Sequence, residues 1–411
     1  MTEGNTTEPV PLLAPAGGVP APVSGLSELR QAAVALAVGR GPVAVDAERA
    51  SGYRYTQRAY LVQLRRDPAG TVLIDPIGFN GVDGVMSELA AALAEAEWIL
   101  HAASQDLPCL AELGLMPSKL FDTELAGRLA GFERVGLAAM VERVLGYQLR
   151  KVHGAADWSR RPLPRDWLTY AALDVELLIP LRDALRVELI KQGKLEWAEQ
   201  EFEAVRRARP PGPRAEPWRR TSGVHRVRRA RQLATVRELW TVRDQLAEQR
   251  DVSPGRVLPD SAIVEAALTD PSNVDELVEI TVFSGRAQRR LAGTWLDAMR
   301  RARALPRSEL PDPNPPSNGP PPVSRWSDRD PAAAARLAAA RSATAGIAER
   351  FRLPVENLLQ PELVRRLCWE PPRPLTVDAV AETLRAGGAR PWQIELTADA
   401  LVAALRSTPP A

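Results

Sequence analysis

The sequence has 411 residues, which is too long for one ordinary domain and predicts about two to four of them. Hydrophobic residues make up 45% of the chain and the formal net charge is only +2, so real cores are expected and a strong overall charge is excluded. The two distant cysteines, Cys109 and Cys368, fit neither a disulfide framework nor a zinc site and suit the cytoplasm. No apolar run approaches the roughly 20 residues that span a membrane.

Two proline-rich segments interrupt the chain and predict its division into three bodies. Arginine exceeds acidic residues most clearly in the middle of the chain, which points modestly to nucleic acid or else to a solvated basic surface. The predicted units are a flexible tail at 1–24, an α/β body at 25–205, an Arg/Pro-rich linker at 206–222, a helical module at 223–304, a Pro-rich linker at 305–329 and a second helical module at 330–408.

The first body begins with strand-like runs and continues with helical ones. Four strands are predicted at VAVDAE, AYLVQLR, TVLIDP and EWILHAA, and a helix at VMSELAAALAEA lies between the third and the fourth. From Leu120 onward helical periodicity dominates. This order of elements predicts the α/β class, with the sheet early and the helices late.

The second and third bodies follow one scheme. Each has a long arginine-bearing helix, a turn before a short helix, and a terminal amphipathic helix. The repetition indicates an internal duplication at low sequence identity.

Two acids interrupt the first predicted strand. Asp46 and Glu48 are two residues apart, so on a strand their side chains point to the same face and need a neutralising partner. The nearby arginines Arg49, Arg54 and Arg58 are one candidate, and a divalent cation is the other. This stretch by itself favours the arginines.

Further acids stand where they could join the same site. Asp106 follows a predicted strand at the carboxyl end of the sheet, where α/β sites are usually built. Tyr170 and Asp174 are four apart on a predicted helix and share one face. Asp122 is another candidate, with a helix cap as the alternative, and Asp157 is expected to order a loop.

Three ordered motifs together resemble ribonuclease D, of the family of 3′-5′ exonucleases with four acidic residues and a tyrosine. They are Asp-x-Glu at Asp46 and Glu48, HAASQDL with Asp106, and Tyr-x-x-x-Asp at Tyr170 and Asp174. The runs YLVQL, FDTELAGRLAG and DWSRRPLPRDWLTYAALDVELL are also similar to the family. One departure is Arg49, because the family commonly has an aromatic residue after its Asp-Thr-Glu.

The resemblance implies an RNase H-like exonuclease domain, a mixed sheet flanked by helices, followed by two all-α modules of the HRDC type found in RecQ-type helicases. It also implies two divalent ions, Mg2+ or Mn2+, held by Asp46, Glu48, Asp106 and Asp174, with Tyr170 orienting the attacking water. The implied reaction removes nucleoside monophosphates from single-stranded RNA 3′ ends, as in precursor tRNA processing or RNA turnover. We expect a cytoplasmic monomer.

Four other residues are candidate substrate contacts. Trp158 and Arg161 could stack on or pair with the terminal nucleotides, and His101 and Gln63 lie in motifs similar to the family. For each of the four, packing inside the domain is the alternative.

Two other functions fit parts of the sequence. A DNA exonuclease for repair or proofreading would use the same acids, since no motif reports the 2′-hydroxyl. A non-catalytic nucleic-acid-binding protein would be expected to lack one of the acids, whereas all four acids and the tyrosine are present.

Overall fold

The fold combines one mixed sheet with many helices, as the sequence predicts. Among the described residues, no helix is both long and apolar enough to cross a membrane. The computed structural model describes residues 8–82, 84–149, 153–209, 212, 214–315 and 319–407.

The first body holds all the strands that the structure describes, together with eight of the helices. The strands are β1 (Val10–Leu12), β2 (Arg40–Arg49), β3 (Ala59–Asp67), β4 (Gly70–Ile74), β5 (Glu97–Leu100), β6 (Lys119–Asp122) and β7 (Tyr147–Leu149). The helices are α1 (Leu26–Ala37), α2 (Ser87–Leu93), α3 (Leu107–Glu112), α4 (Thr123–Leu129), α5 (Leu137–Leu145), α6 (Arg165–Glu176), α7 (Leu178–Lys191) and α8 (Leu195–Arg207).

Five strands form the main sheet in the order β4-β3-β2-β5-β6. β2 pairs antiparallel with β3 and parallel with β5, so it is the central strand of a mixed sheet. Its segment from Val43 to Val45 is completely buried, and α6 and α7 both pack on the strand. The acids that follow Val45 therefore stand on the central strand of the sheet.

The four strands predicted from alternation and turn residues are confirmed as β2 to β5, and the predicted helix between them as α2. Three short strands escaped the sequence analysis. β6 has only four residues and shows no alternation, and it exists because it pairs with β5 in parallel. β1 and β7 pair with each other, so part of the segment expected to be a flexible tail is a strand.

The two helical modules repeat one arrangement. A helix of 21 residues ends at a residue in the left-handed conformation, Asp251 in the first module and Arg352 in the second, and a four-residue helix follows. The first module contains α9 (Ala230–Arg250), α10 (Pro254–Val257), α11 (Asp260–Thr269), α12 (Val274–Glu279), α13 (Arg286–Arg290) and α14 (Ala292–Ala304). The second contains α15 (Trp326–Arg329), α16 (Pro331–Phe351), α17 (Val355–Leu358), α18 (Pro361–Trp369), α19 (Val377–Ala386) and α20 (Pro391–Arg406).

The second module is attached to α8 of the first body by a buried acid. Glu201 is 5% exposed and binds the guanidinium of Arg390 with both carboxylate oxygens. The indole N–H of Trp392 also donates to Glu201, at 3.0 Å. Trp392 in turn stacks on Trp197, with ring centroids 5.1 Å apart and an interplanar angle of 13°.

Substitution of Glu201 by alanine is expected to lower the free energy of unfolding by about 2–3 kcal/mol, because it leaves the Arg390 charge and the Trp392 N–H without an acceptor. Glu203 on the same helix pairs with Arg206 and Arg207 at the surface, so Glu203→Ala is the control, with an expected loss under about 1 kcal/mol. Urea unfolding measures both. Equal losses for the two variants would contradict the role assigned to Glu201.

Candidate active site

Asp46 and Glu48 project from the same face of β2. Asp46 lies opposite Gln63 and Glu48 opposite Leu61 in the pairing with β3. The register shifts after Glu48, where an irregularity in the pairing brings Arg49 opposite Ala59. A shift of this kind re-aims a side chain, and the Arg49 side chain reaches into the same cleft as the two acids.

Asp106 reaches the site from a turn after β5 that another acid holds in place. The Asp122 carboxylate accepts hydrogen bonds from the backbone N–H groups of Ala102 and Ala103, at 3.1 and 2.8 Å. It also caps α4 by accepting from the N–H groups of Glu124 and Leu125. The predicted helix cap is thus confirmed, and Asp122 has the further task of shaping the turn that delivers Asp106.

Tyr170 and Asp174 lie on one face of α6, as their spacing predicts. α6 packs across β2 and β3, so this face meets the acids of β2. The Tyr170 hydroxyl and the Asp174 carboxylate lie side by side in the same cleft. Burial, followed by the charges of Asp174 and Glu48, raises the pKa of Tyr170 above its ordinary value, which keeps the phenol neutral.

Three of the four predicted acids converge on one point. One carboxylate oxygen from each of Asp46, Glu48 and Asp174 lies within 4.8 Å of the other two. Asp106 lies beside this cluster, next to Asp46, and forms an ion pair with Arg49 at 3.3 Å.

The arginines near Asp46 and Glu48 have partners outside the three-acid cluster. Arg49 pairs with Asp106, and Arg54 donates to the hydroxyl of Ser159 at 2.8 Å. Arg58 lies over the ring of Tyr60, 5.0 Å from its centroid. The salt-bridge explanation, which the stretch around Asp46 and Glu48 favours when it is taken alone, therefore gives way to the divalent cation that the wider sequence implies.

Burial raises the pKa of each of the four acids, and repulsion from neighbouring carboxylates raises it further for Glu48, Asp106 and Asp174. The pKa of Glu48 is well above its usual value, because of burial first and then the charges of Asp46 and Asp174. Burial and the charge of Asp46 likewise raise the pKa of Asp174. For Asp106 the same two causes raise the pKa to about 8, although Arg49 opposes them. All four acids can be ionised together only where extra positive charge is supplied.

The cluster fits a hard divalent cation. Carboxylate oxygens are the ligands that Mg2+ and Mn2+ prefer, and three of them converge here from a rigid strand and a helix. The acids line a cleft of about 630 Å3 that is open to solvent, so a substrate phosphate can approach the same point. This arrangement suits metal-assisted hydrolysis.

His101 remains at the cleft wall, where its Nδ1 lies 2.9 Å from the hydroxyl of Thr123.

The sequence analysis missed several other lining residues. Gln105 stands inside the motif around Asp106 and could have been noticed, whereas Leu137 and Leu149 carry no local signal.

The structure corrects two of the expected substrate contacts. Gln63 and Trp158 are both completely buried, so neither side chain can touch a nucleotide in this arrangement. Trp158 packs between the rings of Trp167 and Tyr170, with centroids 5.3 and 6.4 Å away, and so supports the helix that carries the tyrosine. For both residues the packing alternative is correct.

The Arg161 side chain also makes its hydrogen bonds within the protein. Its guanidinium makes two hydrogen bonds of 2.6 Å to Asp75 and one of 2.8 Å to the carbonyl of Tyr60. Two more, also of 2.8 Å, reach the carbonyls of Trp158 and Arg160. A guanidinium has five N–H donors, so none is left for a phosphate.

Asp157 accepts from the N–H and hydroxyl of Ser159, which confirms its predicted role in ordering the loop.

Three family models match successive parts of the chain. Residues 21–190 match a 3′-5′ exonuclease model, residues 232–299 an HRDC domain, and residues 319–405 a 3′ to 5′ exonuclease C-terminal domain. The first match contains every acid of the site, and the other two fall on the helical modules.

Similar proteins cover most of the chain. A ribonuclease D from Acidiphilium cryptum is 33% identical over 292 residues, which are 68% of this chain and 72% of that protein. A solved structure from Bifidobacterium adolescentis is 41% identical, with a TM-score of 0.90 over 97% of this chain and all of that one. Escherichia coli RNase D, described as an exoribonuclease involved in structured RNA processing, is 26% identical, with a TM-score of 0.69 over 95% and 99% of the two chains.

The pairing of Arg161 with Asp75 predicts that both residues act on stability and not on substrate binding. Arg161→Ala and Asp75→Ala should each lower the free energy of unfolding by about 2 kcal/mol, with a double variant that loses less than the sum. Urea unfolding of the two single variants and the double variant measures the coupling. A rise in KM for Arg161→Ala that Asp75→Ala does not share would instead indicate that Arg161 contacts the substrate.

Proposed function

The chain belongs to the ribonuclease D family and is a 3′-5′ exonuclease, and we propose that it hydrolyses RNA from single-stranded 3′ ends and releases nucleoside monophosphates. The observation that carries the proposal is the convergence of Asp46, Glu48 and Asp174 within 4.8 Å in an open cleft. Precursor tRNA 3′ ends are the substrate that we propose first, and general RNA turnover is the broader form of the same activity.

Two divalent ions, Mg2+ or Mn2+, are proposed for this site. Asp46, Glu48 and Asp174 would hold the first, and Asp46 and Asp106 the second. Bound there, the ions would activate a water and neutralise the charge that develops on the scissile phosphate. The ion pair between Arg49 and Asp106 places a guanidinium beside the same phosphate position, where it can donate to a non-bridging oxygen.

Tyr170 would orient the attacking water. Its hydroxyl is next to Asp174 and stays protonated, because burial and the neighbouring carboxylates raise its pKa. A neutral phenol is a poor proton acceptor, so Tyr170 would contribute a hydrogen bond that positions the water and not general-base catalysis.

The helical modules are proposed to hold the RNA upstream of the cleaved bond. Within the arginine-rich segment 219–231, Arg219 pairs with Glu216 and Arg231 binds the carbonyls of Ala302 and Leu305. Those two make contacts within the fold, so the exposed Arg220, Arg228 and Arg229 would make the phosphate contacts. Such contacts would add affinity without sequence preference.

The activity is tested with a 5′-labelled RNA, a DNA of the same sequence and an RNA blocked by a 3′-phosphate. We expect one-nucleotide shortening of the unblocked RNA with Mg2+ or Mn2+, loss of activity with EDTA, and a kcat about 10²- to 10³-fold lower for Asp46→Asn. Asp183→Asn removes an exposed acid on α7 and serves as the control that keeps activity. Preference for the DNA would favour the repair or proofreading alternative, and full activity of Asp46→Asn would contradict the assigned site.

Substitution of Tyr170 by phenylalanine separates orientation of water from metal binding. We expect kcat to fall by about tenfold to a hundredfold, below the effect of removing a general base, because only one hydrogen bond to the water is lost. Mn2+ binding, measured by electron paramagnetic resonance, should stay at the wild-type level. A parallel loss of Mn2+ binding would show that the hydroxyl acts through Asp174.

A further inference from the structure

The loop that leaves the catalytic strand is attached to the first helical module. This exit loop, residues 50–58, joins β2 to β3 and begins two residues after Glu48. Four of its residues contact the segment 244–256, which contains the end of α9 and the first three residues of α10. The contacts are directional hydrogen bonds from several separate residues, so they define the position of the loop and do more than cover it.

Two acids of the module accept hydrogen bonds from the loop. Asp251 accepts from both the backbone N–H and the hydroxyl of Thr56, at 3.0 and 2.9 Å. Asp244 accepts from the hydroxyl of Tyr55 at 3.1 Å, and the Tyr55 ring packs against the apolar core of the module.

A second pair of contacts lies nearer to Glu48. Arg256 donates to the carbonyl of Gly52 at 2.8 Å, and its guanidinium lies 4.1 Å from the ring centroid of Tyr53. The backbone N–H of Ser253 donates to the carbonyl of Tyr53 at 2.9 Å.

The same loop contacts the structures that carry the catalytic groups. Tyr53 packs against the buried cluster that contains Trp158, on which Tyr170 also packs. A recess of about 290 Å3 beside the acids is lined by Glu48, Arg49, Ser51, Gly52, Gly154 and Ala156. The exit loop thus forms one wall of this recess, and the module contacts that wall at Gly52.

We propose that the first helical module is a positioning element for the active site: by holding residues 50–58 it sets the wall of the recess beside Glu48 and Arg49, where the end of the substrate enters. This is a task apart from RNA binding. It predicts that the module affects hydrolysis of substrates too short to lie along it.

The chemistry of the contacts makes the two tasks separable. Asp244 and Asp251 are carboxylates, which repel phosphates, so their removal cannot weaken a contact with the RNA backbone. Any loss of activity after their substitution must come through the loop.

The test compares wild type with Asp251→Gly and Tyr55→Phe on a ribodinucleotide and on a long single-stranded RNA. Glycine tolerates the left-handed conformation at residue 251, so Asp251→Gly removes the carboxylate without straining the end of α9. We expect kcat on both substrates to fall by about tenfold, with KM little changed, and amide exchange of residues 50–58 to quicken by about tenfold. Tyr55→Phe should act in the same direction, by about threefold.

Two further variants control for general effects. Asp251→Asn keeps an acceptor oxygen for Thr56 and should restore most of the activity and the exchange protection. Asp275→Ala removes an exposed acid of the same module away from the loop and should match wild type. Thermal unfolding of every variant shows whether the chain is folded.

An unchanged dinucleotide kcat for Asp251→Gly and Tyr55→Phe would overturn the proposal, as would an effect confined to the long RNA. The inference rests on the proposed activity only for the choice of RNA. If wild type cleaves the deoxy substrates alone, that proposed substrate fails, and the same comparison is made with a deoxydinucleotide. The amide exchange of residues 50–58 reports on the contacts between the exit loop and the first module in either case.

Discussion

Repulsion among four carboxylates is the constraint on which this site depends. Glu48 and Asp106 are 7% and 6% exposed, and with Asp46 and Asp174 they occupy one end of a mixed sheet. Burial raises the pKa of each carboxyl, and repulsion raises it further for Glu48, Asp106 and Asp174, so the four acids can be ionised together only beside added positive charge, which a divalent cation would supply. The domain tolerates this repulsion because Asp46 and Glu48 stand on the central strand of the sheet, Asp174 stands on a helix packed across that strand, and Asp106 stands at a turn that Asp122 holds.

The modules are connected to this centre in different ways. The second is joined to α8 through the buried Glu201 and the stacked Trp197 and Trp392, on residues that carry no catalytic group. The first reaches the loop that continues β2, so its position bears directly on the site. Two modules with the same helical scheme can therefore have different roles. The second packs on the framework at α8, and the first positions one wall of the recess beside the site.

Burial of Gln63 and Trp158, and the hydrogen bonds that Arg161 makes within the protein, explain which sequence-based expectations failed. Gln63, Trp158 and Arg161 lie in motifs similar to the family, and a motif cannot distinguish a side chain that touches substrate from one that supports the site. Their surroundings come from segments far away in the chain: Asp75 faces Arg161 across 86 positions. His101, by contrast, does reach the cleft. The exit-loop contacts also join residues about 200 positions apart, which no local pattern reports.

The sequence by itself determined the family, the four strands β2 to β5 and the order of the candidate catalytic groups, because alternation, helical spacing and short motifs are local properties. Only the tertiary structure decided that Asp46, Glu48 and Asp174 meet while Asp106 pairs with Arg49, and that β6 exists at all. It also decided which polar residues are buried and which loop the first module holds. These outcomes depend on the free energy of packing between distant segments, and no single stretch of the sequence reports which segments will pack together.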